Sequence, residues 1–312
     1  MKAATSACRR PKVSNLNGPP LTFPSFFLIL CVLVCVSSPP ALAGDSFKIG
    51  VPAEMNVFRQ MQRYQPLAEF LSNELGIDAQ IVLLNHYGNI TDSIKHKAVD
   101  AAFLGSFTGA VAIAQLHVEP LARPLFKDGT STYYGKIFVR KDSGIRTVAD
   151  MKGKTLALVE ATTAGYIFPV AFFRENDIQD LNSYFKQVFY AGSHDATVKA
   201  VFEGQADVGA AKNTIYNRVL RENPGYNEKL LVLKNSQVVP SNGFCVCQWV
   251  PPSLRCKLKD TLLHLQKNPK AKNALEKLGA VRFVETSRAD YQVVNDMAKQ
   301  AGVDINQYHY SQ

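Results

Sequence analysis

Thr162-Thr163-Ala164-Gly165 places two hydroxyls and a glycine between two apolar runs. Thr155 to Val159 reads as a short buried strand and Ile167 to Phe173 as the opening of a packed helix, so the motif falls at a strand-to-helix turn. A helix start presents N–H groups without intrahelical acceptors and carries a partial positive charge. Threonine hydroxyls beside it add donors, and the combination suits a phosphate-like oxyanion. The same residues also fit a plain threonine N-cap, which would serve the helix alone. Gly105-Ser106-Phe107-Thr108, directly after the apolar Ala101 to Leu104, repeats the arrangement and makes a second candidate ligand loop.

Other chemistry finds less support. Ser193-His194-Asp195 has the residue types of a hydrolytic triad, but adjacent residues point in different directions and cannot form its relay, so turnover is not expected. No metal-ligand spacing, dinucleotide fingerprint or P-loop occurs, and Gly153-Lys154 lacks the upstream glycine a P-loop needs. Neither a metal nor another cofactor is expected.

The elements that must hold these loops alternate between strand and helix, which predicts an α/β fold on parallel sheets. Phe47 to Val51 reads as a strand, followed by a helix with Tyr64, Leu67, Phe70, Leu71 and Leu75 at helical spacing and Gly76 as its stop. Ala79 to Leu84 is the next strand and Ile90 to Lys97 a short helix. After a strand over Tyr133 to Arg140 the alternation restarts, with helices at Ala196 to Phe202 and Thr214 to Leu220 and strands near Val188 and over Val208 to Ala210. Two blocks of similar size predict two lobes, with crossings near Arg140 and Val239 forming a hinge. Leu254, Leu258, Leu262 and Leu265 mark one amphipathic helix and Tyr291, Val294, Met297 and Ala301 another; without a sheet of their own, both are expected to pack on the first lobe.

The first residues read as an export signal. Lys2, Arg9, Arg10 and Lys12 precede an apolar run from Phe26 to Val36 and an Ala41-Leu42-Ala43 cleavage site, and the run is too short to span a bilayer. Without those four the 35 basic residues fall to 31 against 26 acidic, a mild net charge of +5 with no basic stripe, which argues against nucleic-acid binding. Cys245, Cys247 and Cys256 then remain; one disulfide involving Cys256 is possible, and buried apolar roles are the alternative.

Several ordered motifs resemble one family. Asp100-Ala101-Ala102-Phe103-Leu104-Gly105, Tyr133 ahead of Val139-Arg140-Lys141-Asp142-Ser143, Met151-Lys152-Gly153-Lys154, Thr162-Thr163-Ala164-Gly165, Gly192-Ser193-His194-Asp195-Ala196 and Gly204-Gln205-Ala206-Asp207-Val208-Gly209-Ala210 follow one another as in the PhnD-type periplasmic substrate-binding proteins of phosphonate, phosphite and phosphate ABC importers. The resemblance runs from about Phe47 to about Leu278. It implies a two-lobed type 2 periplasmic-binding-protein-like fold with a hinged interlobe cleft, divided as signal peptide 1–43, lobe 1 over 44–139 and 240–312, and lobe 2 over 140–239. It also implies a monomer in the periplasm that hands a small oxyanion to an ABC permease in the inner membrane, or reports it to a sensor kinase.

The implied ligand residues are Tyr87, Ser106, Tyr133, Thr162, Thr163, Ala164, His194 and Thr214. Departures from the family pattern bear on the ligand. Ala164 stands where a third hydroxyl is common. Thr214 and Asn242 stand where members that carry aminoalkylphosphonates place carboxylates, and Lys212 is close by in sequence. The expected ligand therefore has no amine: phosphate, phosphite or a simple alkylphosphonate.

Overall fold

The computed structural model describes residues 46–52, 57–84 and 87–310, with the side chains of 87–89 excepted. The export signal expected over 1–43 lies outside the described residues. The chain opens with β1 (Phe47–Pro52), α1 (Val57–Leu75), β2 (Ala79–Leu84), α2 (Tyr87–Lys95), β3 (Ala101–Leu104), α3 (Ser106–Leu116) and β4 (Glu119–Phe126). β1 lies between β2 and β3 and runs parallel to both, so each strand's carboxyl end faces the same way. Tyr64, Leu67 and Leu71 recur at helical spacing on α1 and bury against this sheet with Ile49, Phe103 and Phe244.

A two-residue strand β5 (Thr132–Tyr133) leads into the second sheet: β6 (Gly135–Arg140), β7 (Thr155–Leu158), a π-helical turn Thr163–Ile167 that runs straight into α4 (Phe168–Arg174), α5 (Leu181–Tyr184), β8 (Gln187–Tyr190), α6 (His194–Phe202), β9 (Val208–Lys212), α7 (Asn213–Glu222), α8 (Pro224–Lys229) and β10 (Leu230–Asn235). Its order is β10-β6-β9-β7-β8, with β7 parallel to both β8 and β9. The chain then returns through β11 (Val239–Pro240) to β12 (Gly243–Val246), α9 (Pro252–Leu263), α10 (Lys272–Leu278), β13 (Ala280–Glu285) and α11 (Gln292–Gln300). β12 inserts antiparallel between β3 and β4, and β13 closes the first sheet as β13-β4-β12-β3-β1-β2.

Three sequence expectations change. The first crossing lies before Gly135 rather than near Arg140, because β6 already belongs to the second sheet; the charged turn after Arg140 only ends that strand. Both crossings run side by side as the ribbon β5–β11, with Tyr133 opposite Val239 and Ser241 N–H donating to Ser131 O at 3.0 Å. β4 and β13 carry little strand signal, since Pro120 and Pro124 interrupt β4; register irregularities in its pairings with β12 and β13 accommodate them. The last helix also differs. While α9 and α10 pack on the first sheet, Val294, Met297 and Ala298 of α11 share a core with Phe107 and Val111 of α3 and with Ile167, Phe168 and Phe173. Helix α11 thus ties the two halves together.

Candidate functional site

Four helices begin around one pocket. α3 follows β3, the Thr163–Ile167 turn follows β7, α6 follows β8 and α7 follows β9, each within a few residues of a strand's carboxyl end. Because β7, β8 and β9 are mutually aligned, three of these starts fall along one sheet edge, which is where open α/β sheets place ligands. The α3 start faces them from the first sheet. The partial positive charges of several helix starts therefore converge on one point.

The Thr162 turn is shaped to expose its N–H groups. Ala161 adopts φ 57°, a left-handed conformation costing a non-glycine residue about 1–3 kcal/mol. Thr162 Oγ1 donates to Val159 O at 2.9 Å and accepts from Gly165 N–H at 3.0 Å, so its hydroxyl caps the helix. Tyr166 and Ile167 N–H both return to Thr162 O, giving the π-helical turn and leaving Thr163 and Ala164 N–H without an intrahelical acceptor. A Cβ on Gly165 would stand 2.6 Å from Val159 Cβ and 2.8 Å from Thr162 Oγ1, so only glycine fits. Gly135 admits the turn from the other side, where a Cβ would meet Ala164 Cα at 3.1 Å.

Side chains from both sheets and from the ribbon meet inside. Ser106 Oγ lies 2.6 Å from Tyr133 Oη and 2.6 Å from Thr163 Oγ1, joining α3, β5 and the turn through three hydroxyls. Two of the three protons serve the bonds between them, which leaves one to donate outward. Lys212 N–H donates to His194 Nδ1 at 3.3 Å, which fixes the neutral ring's proton on Nε2. Lys212 Nζ lies 4.4 Å from the Tyr133 ring centroid and donates to Asn242 Oδ1 at 3.3 Å. Reciprocal bonds between Tyr134 and Asn213, at 2.9 and 3.0 Å, lock the ribbon to the start of α7 and hold Tyr133 against Lys212. The space enclosed between these side chains has room for about one water. Among the described residues no aspartate or glutamate lines it.

The structure brings Ser106, Tyr133, Thr162, Thr163 and His194 to this pocket. Thr162 lines it as a cap, so of the threonine pair only Thr163 turns its hydroxyl to the shared network. Ala164 is buried in the apolar core and offers only its N–H. Thr214, in the first turn of α7, lies instead in a neighbouring cavity. Tyr87 opens α2, and its side chain is outside the described residues. Lys212 and Asn242 are buried at the centre although the sequence gives them little prominence. The signal available was Lys212 ending an apolar strand just before a helix, the pattern that marks the other ligand loops. Among the described residues no group of three His, Cys, Asp or Glu side chains could hold a metal ion. Cys245 and Cys247 are buried and form no disulfide, burial pushing each thiol up to about 12, and Cys256 is exposed.

Comparison with known proteins agrees with this geometry. The family of periplasmic substrate-binding proteins of phosphonate ABC transporters matches residues 49–291. The phosphonates-binding periplasmic protein of Escherichia coli K12 is 24% identical over 238 residues, 74% of this chain and 69% of that protein. A phosphate-import protein of Mycolicibacterium smegmatis is 24% identical over 223 residues, 67% of this chain and 68% of its own length. Among solved structures, a Prochlorococcus marinus protein in complex with methylphosphonate superposes with TM-score 0.71 at 19% identity, covering 82% of this chain and 98% of that one.

Proposed function

The chain belongs to the periplasmic substrate-binding proteins of phosphonate ABC transporters, and from that premise we propose that its inner pocket binds phosphate, phosphite or a simple alkylphosphonate for delivery to an inner-membrane permease. One observation carries the reading: helix starts from both sheets and the hydroxyls of Ser106, Tyr133 and Thr163 converge on a buried pocket that, among the described residues, is lined by no carboxylate. Each charge-assisted bond there contributes about 1.5–3 kcal/mol, more than its worth in open water. His194 Nε2–H and Lys212 Nζ supply a further donor and a positive charge. The lysine also opposes an ammonium, as do Thr214 and Asn242 by their neutrality.

Ser106 and Thr163 sit on opposite sides of the β5–β11 ribbon and touch directly, so the lobes, divided at that ribbon, meet through the groups that grip the ligand. Because the pocket holds only about one water while that contact is made, a phosphate-sized ligand must part Ser106 from Thr163, and by bonding to both sides it favours a closed form over an open one and shifts the population toward it. The protein acts in the periplasm as a monomer, after removal of the segment 1–43, and leaves its ligand unchanged. A stability screen tests this: methylphosphonate, phosphite and phosphate raise the melting temperature, by about 2.7 kcal/mol of stabilisation at a hundredfold excess over Kd, and 2-aminoethylphosphonate raises it less. A flat response to all four, or a preference for the amine, overturns the reading.

A further inference from the structure

A second cavity of ≈ 230 Å³ adjoins the first and shares two of its walls, Lys212 and Asn242. The partition is the Nζ to Oδ1 contact between those side chains, made of side-chain tips rather than backbone. Beyond it the lining is strongly cationic. Arg63 comes from α1, and Arg218 and Arg221 come from successive turns of α7; among the described residues they and Lys212 face one carboxylate, Asp128, exposed at the rim. Tyr64 and Phe103 give the same cavity an apolar wall.

The arginines are underused by the protein itself. Arg218 Nε is buried and donates to no acceptor among the described residues, and the carboxylate nearest to it in the ion pair with Glu222 is 3.9 Å away. Arg63 reaches only Leu278 O, at 3.5 Å, and lies 5.5 Å from the Tyr64 ring centroid. A buried guanidinium donor such as Arg218 Nε is costly without an acceptor, and a ligand carboxylate or phosphoryl group would satisfy it in the fork geometry arginine favours, with half-buried Arg63 and exposed Arg221 adding positive charge around it.

We propose that this cavity is a second anion subsite, and that the preferred ligand carries two anionic groups: a phosphonate or phosphate head in the hydroxyl-lined pocket and a carboxylate or second phosphoryl group among Arg63, Arg218 and Arg221. The linker passes between Lys212 and Asn242, and Lys212 lies within reach of both charges. This rests on the oxyanion reading of the inner pocket and deepens it from a simple anion to a two-headed one.

Calorimetry with 3-phosphonopropionate, butylphosphonate of similar length but no second charge, and methylphosphonate tests the proposal. The expected result is 3-phosphonopropionate binding about tenfold or more tighter than butylphosphonate. That advantage is expected to vanish in Arg218→Gln and in Arg63→Gln while methylphosphonate affinity stays unchanged, which also shows that the variants are folded. Equal binding of the two long ligands with methylphosphonate still bound, or an advantage that survives both substitutions, overturns the subsite and leaves the inner-pocket reading standing. Failure of all three ligands in the natural protein overturns the subsite, and failure of phosphate and phosphite as well overturns the inner-pocket reading.

Discussion

Two strand-to-helix turns face each other across the pocket, and they are built differently. At the first, Gly105 has an ordinary extended conformation, Thr108 Oγ1 donates back to Gly105 O, and a Cβ on Gly105 would meet nothing closer than Thr108 Oγ1 at 3.5 Å. At the second, Ala161 is left-handed, the turn is π-helical, Thr162 is committed to capping, and Gly165 has no room for a Cβ. Three of the four helix starts also belong to the second sheet. On the proposed reading the halves do different work: the second sheet would hold a preformed, strained oxyanion cradle, and the first would bring Ser106 to it as the lobes close.

Substitutions at matched positions in the two turns sharpen this difference. Gly165→Val is expected to abolish oxyanion binding, because the clash with Val159 and Thr162 dismantles the cradle, whereas Gly105→Ala retains binding within about threefold, since its space is open. Equal losses at both positions would erase the contrast. Thr163→Val is expected to weaken methylphosphonate binding by ten- to a hundredfold, about 1.5–3 kcal/mol, as a charge-assisted donor is lost. Ser106→Ala should cost about tenfold or less and act mainly on ligand release, because closure keeps its backbone N–H in place; stopped-flow release rates distinguish the two. Thr162→Ala is expected to lower stability by about 1 kcal/mol in a urea titration through loss of the cap. Its affinity loss should be smaller than that of Thr163→Val, and the reverse order would make Thr162 the ligand hydroxyl.

Much of the cradle was legible because its signal is local. A hydroxyl pair followed by glycine between apolar runs marks the Thr162 turn, and hydroxyls directly after an apolar strand mark the Ser106 turn; α6, expected over Ala196 to Phe202, begins at His194. What local pattern could not separate was the function of two adjacent threonines, since a cap and a ligand donor use the same residue type. Lys212 was underweighted for a different reason. A lone lysine is usually solvated, and only its placement over Tyr133 and beside Asn242 makes it central. β4 was obscured by Pro120 and Pro124, and with it went its partner β13, because a strand's neighbours cannot be read when its own pattern is broken.

By itself the sequence determined the alternation of elements, the apolar faces that drive them into two sheets, and the chemical character of the turns, all of which depend on residues a few positions apart. Only the tertiary structure decided that Ser106, Tyr133, Thr163, His194 and Lys212 share one pocket, that α11 binds the halves together, and that Arg63 stands across a cavity from Arg218. Those contacts join residues far apart in the chain. They are fixed by the parallel alignment of strand ends and by long-range packing, for which no short stretch of sequence carries a signal.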